Sequence, residues 1–196
     1  MKIFMKILVC VTFISMLFSM LSFESTCRML EEDVLRLHIL SNSDSSEDQQ
    51  LKLEVRDAVL QKTSHLFNDV KTKADARRVI ESNLEYIEKI ATQTIFANGF
   101  DYPVKAQLKN EFFDTRYYDD FTMPAGVYET LLITIGDGEG KNWWCVMYPT
   151  LCVGASSPTS MKDKLNDDEY DVVASDKYQF RFKFLEYFRK IYMYFN

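Results

Sequence analysis

The chain has 196 residues, 47% of them hydrophobic, and a formal net charge of −6 at pH 7. This length and apolar content suit one compact domain. An acidic chain does not seek phosphate backbones, and no basic stripe precedes residue 177. The composition therefore argues against nucleic acid as a partner.

The first residues have the plan of an export signal. Lys2 and Lys6 precede an apolar stretch over residues 7–23, which is the arrangement of a signal peptide. Ser25 and Cys27 provide small side chains for cleavage after Cys27, so residues 1–27 are expected to be the signal. A retained membrane anchor is the alternative, since the apolar stretch approaches the roughly 20 residues that cross a bilayer.

The next segment predicts one strand and two helices. Residues 34–40 alternate, with Leu37 on one face and Arg36 and His38 on the other. A capping box of Asp44 and Glu47 is expected to open a helix to about residue 68. A second helix is expected to start at Thr72 with Asp75 as its capping partner, and to end near residues 98–99. Both helices are amphipathic.

Three further strands are predicted over residues 102–109, 127–135 and 142–148, the last two joined by a hairpin turn at residues 136–141. The predicted fold class is α+β: a single domain with an antiparallel sheet of about four strands, two N-terminal amphipathic helices packed on it, and an aromatic C-terminal helix. Residues 154–160 form a polar linker to that basic, aromatic segment. On a helical wheel the apolar side of residues 177–196 is made of Phe180, Phe184, Tyr187, Phe188, Ile191 and Phe195.

No catalytic or metal-binding constellation is found. The two histidines, His38 and His65, are far apart in sequence, so no metal site and no cofactor are expected. Cys145 and Cys152 are close enough to form a disulfide in an exported protein, or to be two buried thiols. A nucleophile pair of Cys145 and His38 is the enzyme alternative.

Four side chains are hypothesised to bind a protein partner. Trp143 and Trp144 are consecutive strand residues and must point to opposite faces, so one of them cannot enter a one-sided core. Arg36 and His38 occupy the outward face of their strand. Exposed tryptophan and arginine often dominate interfaces. The alternative is structural, with the tryptophan covered by another segment and the polar pair satisfied by a nearby aspartate.

Several unusual motifs resemble the stage II sporulation protein R family. Over residues 34–153 the chain is similar to that family in the motifs LRLHILSNSD at 35–44, QLKLEVRDAV at 50–59, YPV at 102–104, PAGVYE at 124–129 and GEGKNWWCVMYPTLC at 138–152. The resemblance defines residues 28–153 as the family-like domain, between the signal or anchor at 1–27 and the tail at 154–196.

The resemblance implies a signalling protein without enzyme activity of its own. Such a protein is exported across the forespore membrane into the space between forespore and mother cell. Its implied partner is a membrane-bound aspartic protease that processes the precursor of sigma-E. The alternatives are an exported thiol-dependent hydrolase or redox protein, and a structural protein of the membrane surface. Membrane contact through the N-terminal segment or the C-terminal aromatic tail is compatible with each.

Overall fold

The computed structural model describes residues 2–118, 121–149, 161–162 and 164–195. Its α-helices are α1 (Lys2–Asp33), α2 (Ser46–Thr63), α3 (Lys73–Ser82), α4 (Leu84–Ala97), α5 (Asp167–Ala174) and α6 (Gln179–Phe195). Short 3₁₀ turns cover Ser64–Phe67 and Asp176–Tyr178. The strands are β1 (Leu35–Leu40), β2 (Val104–Phe113), β3 (Arg116–Tyr117), β4 (Thr122–Met123), β5 (Gly126–Ile135) and β6 (Asn142–Tyr148).

The chain forms two compact units. The sheet unit consists of residues 31–112 and 127–165, and the helical unit of residues 1–30, 113–126 and 166–196. The domain boundaries that the sequence suggested at residues 27 and 153 stay a prediction.

The sheet unit confirms the α+β class and contains a four-stranded sheet in the order β2-β5-β1-β6. The sheet is mixed, and not antiparallel as predicted, because β1 pairs parallel with β5 and antiparallel with β6. A parallel pair needs a long crossover connection, and the chain between β1 and β5 supplies it. Since β1 lies between β5 and β6, residues 136–141 do not close a hairpin; the hairpin prediction is wrong. They carry the chain past the end of β1.

The helix starts follow capping chemistry, with one shift. Ser45, rather than Asp44, caps α2: its side chain accepts a hydrogen bond from the backbone N–H of Asp48 at 3.1 Å. The capping box of Thr72 and Asp75 is confirmed at the start of α3. The second predicted helix is interrupted at Asn83, where α3 ends and α4 begins.

One face of the sheet and the three helices α2, α3 and α4 form the hydrophobic core. Burial of this apolar surface is the main stabilising contribution to such a core. Its buried members include Leu35, Leu37, Ile39, Val55, Val59, Ile80, Ile87, Ile90, Ala91, Ile95, Leu131, Ile133, Cys145 and Met147.

The helical unit contains α1, the ribbon of β3 and β4, α5 and α6. The C-terminal part of α1 is buried at Phe23, Cys27 and Leu30, whose spacing of four and three residues marks one helix face. The ring of Phe23 stacks on Tyr178 at 5.3 Å and lies 5.5 Å from Phe182. The predicted C-terminal helix is present as α6.

Candidate functional site

The second face of the sheet carries polar side chains in its interior. We call this set, made of Arg36, His38, Glu111, Asn142 and Trp144, the polar face. Its members converge because the register sets His38 opposite Trp144 on β6, while Glu111 comes from β2, two strands away.

His38 is held at both ring nitrogens. Its Nδ1 lies 2.8 Å from Oε2 of Glu111, and its Nε2 lies 2.8 Å from Oδ1 of Asn142. His38 as a whole residue is 8% exposed, and its ring lies 5.6 Å from the ring of Trp144. Glu111 is also paired with Lys109, whose Nζ lies 2.9 Å from Oε1. A general base needs a free nitrogen aimed at its substrate, so this arrangement suits a positioning role.

Arg36 is fully buried, which contradicts its expected place on an exposed face. Its guanidinium carbon lies 5.3 Å from the ring centroid of Tyr128. The neighbouring residues on this face, Thr130 and Val146, are buried as well. β1 is a central strand with both faces covered, as is usual for strands that have a parallel neighbour. Outward alternation along β1 therefore does not mean exposure.

The two tryptophans point to opposite faces. Trp143 packs against the core formed with α2 to α4, and the Arg56 guanidinium carbon lies 4.2 Å from its ring centroid. Trp144 lies on the polar face beside His38. Both side chains are half-buried. Trp144 and the exposed Asn142 are therefore the accessible rim of the polar face.

The structure does not form the Cys145–His38 nucleophile pair. In the pairing of β1 with β6, Cys145 lies opposite Leu37, and His38 is on the other face. Cys145 is disulfide-bonded and buried, whereas Cys10 and Cys27 are not part of a disulfide. Cys152 lies outside the described residues, so the bridge between Cys145 and Cys152 stays a prediction. Among the described residues there is no group of three or more histidines, cysteines or carboxylates suited to a metal ion.

Sequence reasoning missed a polar network between two loops, which we call the loop network. It joins the β1–α2 loop, residues 41–45, to the β5–β6 loop, residues 136–141. Lys52 donates to the backbone carbonyl of Lys141 at 2.8 Å and to Oε1 of Gln49 at 2.6 Å. Gln49 donates in turn to Oγ of Ser41, also at 2.6 Å. Burial lowers the pKa of Lys52, against the opposing effect of the Asp44 carboxylate.

Asp48 is the buried acceptor of the same network. Its Oδ2 accepts hydrogen bonds from Oγ of Ser43 at 2.6 Å and from Nδ2 of Asn42 at 2.9 Å. Burial alone would raise the pKa of Asp48, but these hydrogen bonds outweigh it and the pKa is lowered. The recurring serines, Asn42 and Asp48 thus tie the loop to α2. The motif at residues 35–44 is the sequence signal from which the loop network could have been predicted.

Asp48→Asn is expected to lower the free energy of unfolding by about 2 kcal/mol at neutral pH, since hydrogen bonds to a charged group are worth about that much. Because folding lowers the pKa of Asp48, its stabilisation is present above the unfolded-state pKa of about 3.9 and is lost as pH falls through the lower folded-state pKa. The free energies of unfolding of the native chain and of Asp48→Asn should therefore lie closer together at about pH 3 than at neutral pH. Thermal unfolding at both pH values measures the two differences.

Asp57→Asn is the control, because Asp57 lies on α2 with a side chain 64% exposed and its ion pair should contribute little. A gap between Asp48→Asn and the native chain that stays constant down to about pH 3 would contradict a charged role for Asp48.

Comparison with known proteins identifies relatives of the sheet unit. A family model described as Stage II sporulation protein R (spore_II_R) matches residues 31–157. Stage II sporulation protein R of Bacillus subtilis (strain 168) is 42% identical over 124 residues, which is 63% of this chain and 55% of that relative's length. The chain therefore matches little more than half of this relative. No solved structure matches significantly. Most of α1, α5 and α6 lie outside the family match.

Proposed function

Because the chain belongs to the stage II sporulation protein R family, we propose that it is an intercellular sporulation signal. It crosses the forespore membrane and activates a membrane-bound aspartic protease that processes the precursor of sigma-E. The observation that carries the proposal is the family match over residues 31–157, which spans all four strands of the sheet.

The N-terminal helix supports the export step. By length and composition α1 could cross a membrane, and a signal sequence near the N-terminus meets the same criterion. Burial of Phe23 and Cys27 favours the retained anchor over cleavage after Cys27. Cleavage there would remove the buried Phe23 ring that packs on Phe182 in the helical unit, a loss comparable in kind to a large-to-small substitution in a core. We therefore propose that α1 stays attached.

A contact function accords with the chemistry of the polar face. His38 and Glu111 are committed to internal hydrogen bonds, and Cys145 is committed to a disulfide. These groups are not arranged as a nucleophile with its base. Trp144 and Asn142 at the rim are the groups a protein partner can reach. We propose that the rim contacts the protease, with Arg36 and His38 supporting it from within.

Trp144→Ala is expected to reduce precursor processing by about 5- to 30-fold, the equivalent of 1–2 kcal/mol of binding, if the rim is the contact. The test is co-expression of the chain, the protease and the sigma-E precursor in a non-sporulating host, with processing followed by immunoblot. Processing by the native chain should also require the protease.

Two controls separate contact from folding. Phe96→Ala removes an aromatic side chain that is 75% exposed in the same sheet unit and should process normally. Trp143→Ala removes a core ring and should reduce the melting temperature. If Trp144→Ala processes the precursor like Phe96→Ala, the rim is not the contact. If the native chain triggers no processing, the proposed function itself is wrong.

A further inference from the structure

Helix α6 presents an aromatic face to solvent. Phe182 and Leu185 are its buried side chains, and they define its inward side within the helical unit. At 100° per residue the opposite side is almost entirely apolar. Its members, with their exposed fractions, are Phe180 (77%), Phe184 (44%), Tyr187 (65%), Phe188 (53%), Ile191 (38%), Tyr194 (85%) and Phe195 (78%). We call these seven residues the aromatic face.

An exposed apolar surface made of seven neighbouring side chains indicates a binding surface. The helical wheel of residues 177–196 already placed most of these side chains on one side. The structure adds that they point away from the body of the helical unit. Basic residues border the aromatic face, with Lys183 and Lys190 along one edge and Arg181 along the other. The Lys183 and Lys190 side chains are 64% and 49% exposed. Aromatic rings with flanking lysines are typical of helices at a lipid interface.

The position of α6 along α1 identifies the occupant. Arg181 donates to Oγ of Ser19 at 3.0 Å, Phe182 contacts Phe23, and Arg189 pairs with Glu24 at 3.3 Å. These α1 partners fall between residues 19 and 24. A span of roughly 20 residues that begins at Ile3 leaves the hydrocarbon core at about residue 22. The contacts therefore set α6 at the depth where α1 would emerge.

The apolar surface of α1 leads to the same depth. Its side chains between Ile3 and Leu21 are largely exposed, among them Phe13 at 61% and Phe18 at 72%. Lipid that surrounds α1 would end beside α6. A lipid surface thus accounts for both exposed apolar surfaces of the helical unit with one partner.

We propose that α6 is an interfacial membrane helix that lies in the headgroup region beside α1, with its aromatic face in lipid. The retained α1 holds it there. Lys183 and Lys190 are paired with Glu186 and Asp114 within the unit, and their exposed side chains border the phosphate level. This inference rests on the proposed retention of α1, but it goes beyond the signalling function and does not depend on the protease. It implies that the signal acts from the membrane surface.

Tryptophan introduced on the aromatic face tests the proposal. Phe188→Trp in the full chain is reconstituted into vesicles of phosphatidylethanolamine and phosphatidylglycerol, with and without dibrominated acyl chains. The emission of Trp143 and Trp144 is removed by subtracting the native chain measured in the same vesicles. The added tryptophan should emit at shorter wavelength than in water and lose at least half of its intensity, by our expectation, to the brominated lipid.

Phe96→Trp is the matched control, because Phe96 is 75% exposed but belongs to the sheet unit; its emission should be unquenched. Tyr187→Trp on the aromatic face provides a second probe if Phe188→Trp folds poorly. Unquenched emission from both α6 probes would overturn the proposal. Blue-shifted but unquenched emission that grows with the protein-to-lipid ratio would overturn it too, and would assign the face to a second copy of the chain.

Discussion

Gly140→Ala is expected to destabilise the sheet unit by about 3 kcal/mol, at the upper end of overpacking effects. A Cβ at this position would overlap the backbone carbonyl of Ser43 and the hydroxyl of Ser41. The backbone N–H of Gly140 also donates to the carbonyl oxygen of Ser41 at 3.0 Å. Backbone atoms cannot move aside cheaply, so the two loops of the loop network would separate. Thermal unfolding of the full chain in mild detergent, followed by circular dichroism, measures the loss.

Gly99→Ala is the comparison for this variant. A Cβ at Gly99 meets no atom within 4 Å, and only its φ of 82° opposes the substitution, at about 1–2 kcal/mol. Gly140→Ala should therefore melt well below Gly99→Ala. Equal melting temperatures would mean that the two loops can move apart at little cost and that the loop network does not hold them together.

The double substitution Ile14→Asp and Phe18→Asp is expected to abolish delivery of the sheet unit across the membrane. The aspartate at position 14, near the middle of the span, costs about 2.5–3.5 kcal/mol on the insertion scale, and the one at position 18, nearer the end, adds a smaller cost. Together they remove most of the free energy that inserts α1. The readout is digestion of the sheet unit by protease added outside spheroplasts, together with processing of the sigma-E precursor.

Ile14→Leu and Phe18→Leu together form the matched variant, which should be delivered and should signal normally because the span stays apolar. Normal processing with the aspartate variant held in the cytoplasm would show that delivery through α1 is not the route of the signal. The vesicle experiment on α6 requires an inserted α1. The leucine variant keeps the span apolar, so it can also be used in that experiment.

The elements of the fold could be predicted because their signals are local. Alternation between Leu37 and His38 marks a strand, and Thr72 with Asp75 marks a helix start, whatever the rest of the chain does. Strand order has no such local signal. Residues 136–141 contain turn glycines, and a turn between consecutive strands suggested a hairpin, yet β1 pairs between β5 and β6. That pairing is decided by contacts between distant segments.

The candidate site was predicted in part for the same reason. That Trp143 and Trp144 face opposite ways follows from the geometry of a strand, and the structure has them so. That Arg36 is buried does not follow, because alternation separates two faces without saying whether the second is covered. The partner of His38 was unpredictable too, since Glu111 reaches it from a strand that is not its neighbour.

The central position of β1 has a consequence for the order of events during export. β1 is the first strand to follow α1, but its partners Leu131 and Cys145 lie far downstream. Sheets built from such distant pairings close slowly. With α1 retained in the membrane, β1 emerges before β5 and β6, so the sheet cannot be completed until both of those strands have crossed. For a chain exported as proposed, the topology therefore keeps the sheet incomplete throughout translocation, and the sheet unit folds only after the last strand has crossed.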